Sequence, residues 1–134
     1  MADGNTMLRV KKIIESDPER RYVVVSAPGK RFGGDTKITD LLYDTFESVK
    51  LTGKPGAAFG KVAERFRGIV HELALDMDID ALLKKTEREI VKEGTADFVA
   101  SRGEYLSGCV MAALLGIPFI DARDVVKFNA EGRL

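Results

Sequence analysis

The sequence predicts an α/β fold, rich in helix with a few parallel strands, and three observations lead there. Stretches with one apolar helical face alternate with short apolar runs. Two of those runs, Tyr22-Val23-Val24-Val25 and Ile117-Pro118-Phe119-Ile120, lack polar alternation, the pattern of a strand covered on both faces. A loop rich in proline, glycine and charge follows the first run, and in open parallel sheets ligands bind at the carboxyl ends of strands. Two or three short strands are few for such a sheet, so the chain reads as part of a domain whose other strands lie elsewhere.

Taken in order, residues Asn5 to Ser16 place Met7, Val10, Ile13 and Ile14 on one helical face. Asp17-Pro18 stops that helix, because a residue before proline is pushed out of the α region. The first apolar run follows, and then the loop from Ala27 to Lys37. Thr39-Asp40 can cap a helix through Leu41, Leu42, Phe46 and Val49 to about Leu51, where Thr52-Gly53-Lys54-Pro55-Gly56 breaks it. Phe59, Val62, Phe66, Ile69, Val70 and Leu73 mark a longer helix, and Ile79, Leu82, Leu83, Ile90 and Val91 another. Asp76 to Asp80 joins them as a helical hairpin with charged, solvated outer faces. A last long helix spans about Thr95 to Leu115 and ends at Gly116. Its middle, Ser101-Arg102-Gly103-Glu104, interrupts the apolar pattern. Glycine inside a helix costs about 1 kcal/mol relative to alanine, so Gly103 marks a break or a close approach.

Composition excludes several functions. Of 134 residues, 45% are hydrophobic and 31% charged, and 21 basic residues balance 21 acidic ones. That balance gives no electrostatic case for nucleic acid or an anionic membrane. The longest apolar run, Val110 to Ile117, is far short of the roughly 20 residues that span a bilayer. The N-terminal residues carry no secretory signal pattern. A single cysteine, Cys109, makes no internal disulfide and fits a reducing cytoplasm. Cys109 and the single histidine, His71, form no zinc site; the first reads as a small apolar packer and the second as helix surface.

Two blocks carry a family resemblance. Val23-Val24-Val25-Ser26-Ala27-Pro28-Gly29-Lys30 followed by Thr36-Lys37-Ile38-Thr39-Asp40-Leu41-Leu42 resembles the second-strand block of aspartate kinases. Phe98-Val99-Ala100-Ser101-Arg102-Gly103-Glu104-Tyr105-Leu106-Ser107 resembles that family's Ser-x-Gly-Glu-x-(Leu/Met)-Ser signature. Ala2-Asp3 with the first helix, and Phe119-Ile120-Asp121-Ala122-Arg123-Asp124-Val125, extend the likeness over essentially the whole chain.

The resemblance implies a partial three-layer α/β/α amino acid kinase fold, similar to carbamate kinase, and an aspartate-binding lobe over residues 1–134. It implies an enzyme family that transfers the γ-phosphoryl of ATP, with Mg2+, to the side-chain carboxylate of L-aspartate on the way to lysine, threonine and methionine. Glu104 aligns with the glutamate that binds the substrate ammonium, and Ser26 and Thr39 with hydroxyl residues of the aspartate site. Ser101, Arg102 and Gly103 would shape the turn presenting Glu104. A zwitterionic amino acid needs an anion for its ammonium and donors for its carboxylates, and charge-assisted hydrogen bonds are the strong kind. The nucleophile is an ionised carboxylate already, so catalysis would be positioning and electrostatic stabilisation, with no catalytic base expected.

The family's opening Lys-Phe-Gly-Gly strand and its nucleotide-binding half are not among these residues, and the stretch from Asn129 to Leu134 falls where the family continues into further strand. Lys30-Arg31-Phe32-Gly33-Gly34 follows the wrong strand and is not assigned to phosphate. The expectation is therefore a fragment, inactive alone and binding neither ATP nor Mg2+ tightly. Its partners would be L-aspartate and the remainder of the kinase domain, with an exposed sheet edge inviting self-association. The competing readings are a related amino acid kinase acting on another carboxylate or carbamate, and a non-catalytic regulatory or interaction module.

Overall fold

A computed structural model describes residues 1–132; Arg133 and Leu134, the end of the tail where the family continues into further strand, lie outside the described residues. The described residues form six α-helices and no strand. They are α1 (Gly4–Glu15), α2 (Ile38–Thr52), α3 (Gly56–Glu72), α4 (Ile79–Glu93), α5 (Ala96–Leu115) and the single turn α6 (Ala122–Val125).

This corrects the α/β expectation. Residues 22–25 and 117–120 carry no regular secondary structure, and among the described residues no segment pairs with them in a ladder. A strand exists only by pairing, and local β-propensity cannot supply the partner. Nor is the first run covered on both faces. Val23 and Val25 rest on the core, whereas Val24 is 97% and Tyr22 92% exposed. Ile117 and Ile120 are exposed as well.

The helices follow the sequence logic closely. Asp3 caps α1 by accepting from the amide of Thr6 at 2.8 Å, and the Thr6 hydroxyl closes a capping box. Glycines in left-handed geometry end α2, α4 and α5 at Gly53, Gly94 and Gly116. Arg67 on α3 pairs with Asp80 at the start of α4 at 2.7 Å, where the chain folds back. The shared core centres on Met7, Ile38, Leu42, Phe66, Leu106 and Val110, all fully buried.

Two details of the helices differ from expectation. Thr39 does not cap α2, which begins at Ile38 with Lys37 in the cap position and no side-chain cap bond. The amide of Ile38 donates instead to the carbonyl of Pro28 at 3.1 Å, so a tertiary contact does the capping. And α5 runs unbroken through Ser101–Glu104. There is no turn at Gly103; the glycine is there for a close approach.

Candidate functional site

The centre of the site is the seam between α5 and the loop that leads from the first apolar run into α2. A Cβ on Gly103 would stand 2.7 Å from the Cβ of Ala27, 3.2 Å from Leu42 Cδ1 and 3.3 Å from Ile38 Cγ2. Only a residue without a side chain lets the helix and the loop come so close. One position on, Glu104 is exposed and its Oε1 accepts from the amide of Ala27 at 3.3 Å. Glu104 thus lies against the backbone next to Ser26, while Gly103 touches the residue before Thr39. Ser26 is exposed and Thr39 half-buried in the first turn of α2. The fold thus brings Glu104 to the chain neighbour of Ser26, and brings α5 against Ile38, the chain neighbour of Thr39.

The other members of the signature face elsewhere. Arg102 is buried against α4, its guanidinium 4.3 Å from the Phe98 ring centre and 4.6 Å from that of Tyr105. Its Nη1 lies 3.7 Å from Glu89 Oε2, and neither atom has a hydrogen-bond partner among the described residues. Burial pushes the Arg102 pKa down, and the nearby Arg123 adds to that. Ser101 donates to the carbonyl of Phe98 at 2.7 Å and accepts from Arg102. Arg102 therefore faces Glu89 of α4, Ser101 bonds within α5, and neither sits in a turn.

Sequence reasoning missed the groups that hold the loop. Asp35 Oδ2 accepts from the Arg31 amide at 3.0 Å, from Arg31 Nε at 2.9 Å and from Arg65 Nη2 at 2.6 Å. Arg65 comes from α3 and is buried, and its Nη1 also donates to the carbonyl of Gly29 at 3.0 Å. Hydrogen bonds from Arg31 hold the Asp35 carboxyl far below the usual carboxylate range, with Arg65 contributing. The same carboxylate raises Arg31, whereas Arg65 is lowered because burial and the like charge of Arg31 outweigh the attraction of Asp35. The signal was present: Arg65 follows Val62 by three and precedes Ile69 by four, a charge set into an apolar stripe.

Cys109 is a half-buried free thiol whose pKa burial pushes up, and His71 is exposed on α3. Among the described residues no group of three or more His, Cys, Asp or Glu side chains could hold a metal ion, and no helix is long and apolar enough to cross a membrane.

Against known proteins, no family model matches the chain. Aspartokinase 3 of Bacillus subtilis (strain 168) is 43% identical over 79 residues, which is 59% of this chain and 17% of that protein. The crystal structure of the allosteric aspartate kinase of Clostridium acetobutylicum matches with a TM-score of 0.89 at 43% identity, over 98% of this chain and 30% of that one. The chain shares sequence and fold with part of an aspartate kinase. It spans less than a third of either aspartate kinase it matches.

Proposed function

We propose that this chain is the amino-acid-binding portion of an aspartate kinase, whose complete enzyme phosphorylates the side-chain carboxylate of L-aspartate with ATP and Mg2+ in lysine, threonine and methionine biosynthesis. The observation that carries it is the convergence of Glu104 with the Ala27 backbone beside Ser26 and Thr39. In this reading Glu104 takes the substrate ammonium, and the hydroxyls of Ser26 and Thr39 donate to its carboxylates. Glu104 is exposed and anionic, and the amide it now accepts from at 3.3 Å is a weak competitor for a charged ligand.

The rest of the kinase is the chain's partner in this reading. It would cover the apolar side chains that the two apolar runs leave in water, Tyr22, Val24, Ile117 and Ile120 among them. The phosphate-handling glycine-rich strand of the family pattern is not among these residues, so phosphoryl transfer is not expected from them alone, nor tight binding of ATP or Mg2+. A single free cysteine suits the reducing cytoplasm where such an enzyme would work.

The test is an amide NMR titration of the chain with L-aspartate and then ATP. L-aspartate should shift the amides of Ser26, Thr39 and Glu104, and ATP should add nothing. A charge-assisted hydrogen bond contributes about 1.5–3 kcal/mol, so Glu104→Gln should weaken L-aspartate by about tenfold or more. A spectrum indifferent to L-aspartate would overturn the assignment of the site, and aspartate-dependent release of ADP by the pure chain would overturn its inactivity.

A further inference from the structure

The loop from Ala27 to Lys37 carries no helix or ladder, yet its two ends must hold Ser26 and Thr39 at fixed places. Few backbone bonds do so: the Ile38 amide to the Pro28 carbonyl, and the Asp35 amide to the Phe32 carbonyl, each at 3.1 Å. Arg31 bonds Asp35 within the loop and Glu104 takes the Ala27 amide; the ties from α3 to the loop come from one side chain. Arg65 reaches the early part of the loop through the Gly29 carbonyl at 3.0 Å. It reaches the late part through Asp35 at 2.6 Å, with the Thr36 carbonyl at 3.4 Å. Its side chain is only 5% exposed and that of Asp35 9%, so solvent screens this pair little.

An apolar residue would be the ordinary choice at such a place on α3, beside Val62, Phe66 and Ile69. A lysine could not span it either, because an ammonium is one point of charge while the guanidinium fork donates in two fixed directions. From this geometry we infer that Arg65 is a positioning residue: with Asp35 it draws the two ends of the loop together and so sets the spacing of Ser26 and Thr39 for the amino-acid ligand. The inference rests on the reading of the site given under Proposed function, but the clamp can be read apart from the ligand. Arg31 closes the outer side of the same carboxylate and is exposed, so its loss should matter less.

The experiment uses the chain itself with Arg65→Met, which keeps the apolar length of the side chain, and reads amide hydrogen exchange and L-aspartate titration together. Exchange at Asp35 and Ile38 should quicken by about tenfold or more, the equivalent of one lost charge-assisted hydrogen bond, while core amides such as Phe66 and Leu106 keep their protection. L-aspartate affinity should fall by a similar factor of about ten. In Arg65→Ala, added methylguanidinium should restore both, a rescue that a purely structural role would not couple to ligand affinity. Should Arg65 variants fail to fold, Asp35→Asn breaks the same clamp from the loop side and carries the same expectations. Unchanged loop exchange would overturn the inference, as would faster exchange with unchanged L-aspartate affinity. If the unsubstituted chain ignores L-aspartate, the reading of the site fails. Loop exchange without rescue by methylguanidinium then overturns the clamp, and restored protection upholds it.

Discussion

Gly103→Ala tests the seam most directly, because two known effects oppose each other there. Alanine in place of glycine within a helix ordinarily stabilises by about 1 kcal/mol. At this position the new methyl would stand 2.7 Å from the Cβ of Ala27, where carbon atoms prefer about 3.5–4.0 Å. Leu42 Cδ1 at 3.2 Å and Ile38 Cγ2 at 3.3 Å are ends of side chains and can yield by a few tenths of an ångström. The Ala27 Cβ is fixed to its backbone, so the loop must move as a unit, away from Glu104. Overpacking of this kind costs about 1–3 kcal/mol, leaving a net destabilisation of roughly 1 kcal/mol once helix propensity is returned. For a chain of this size that corresponds to a fall of about 3–4 °C in Tm. Gly60 supplies the internal control: it lies within α3, and a Cβ there would meet nothing inside 4 Å, so Gly60→Ala should stabilise by about 0.5–1 kcal/mol. Urea denaturation of the two variants gives opposite signs if the seam is as tight as these distances make it. A Gly103→Ala protein as stable as Gly60→Ala, with the Ala27 amide resonance unmoved, would refute the reasoning.

Three further outcomes follow from charge placement. Arg102→Met keeps the side-chain volume but leaves the buried Glu89 Oε2 without its cation, and should cost about 1–3 kcal/mol in denaturant unfolding. Adding Glu89→Gln should recover part of that loss, and strictly additive costs would show that the pair is uncoupled. Asp35, Asp3 and Asp121 all have folded pKa values below the ordinary carboxylate value of 3.8. A depressed folded pKa gives stability that is present above the unfolded value and lost as pH falls toward the folded one. The chain should therefore lose stability from about pH 4 downward, and Asp35→Asn should flatten that decline; matching slopes would refute the role of Asp35. Arg31→Gln, removing only the exposed side of the clamp, should quicken exchange at Asp35 less than Arg65→Met does, and equal effects would remove the distinction drawn between them.

The sequence by itself determined the helices and where they stop. Apolar spacing placed α1 and α4 within a residue or two and α3 within three, and the breaker at Gly53 and the stop at Gly116 end their helices because a left-handed residue suits glycine. Those are local effects, written in neighbouring residues. It also selected Ser26, Thr39 and Glu104 through two motif blocks, and the fold packs α5 against Ala27 and Ile38, the chain neighbours of the first two. Tertiary structure decided the rest. Whether Tyr22–Val25 becomes a strand depends on a pairing partner that no local pattern contains, and among the described residues the segment stays unpaired. Gly103 lies in an unbroken helix since its small size serves a contact with Ala27, 76 positions away by difference in numbering. Thr39 gave up the cap to a carbonyl at Pro28. Arg65 could be seen as a charge in an apolar stripe, but its partners at Gly29, Asp35 and Thr36 come together only when α3 packs beneath the loop.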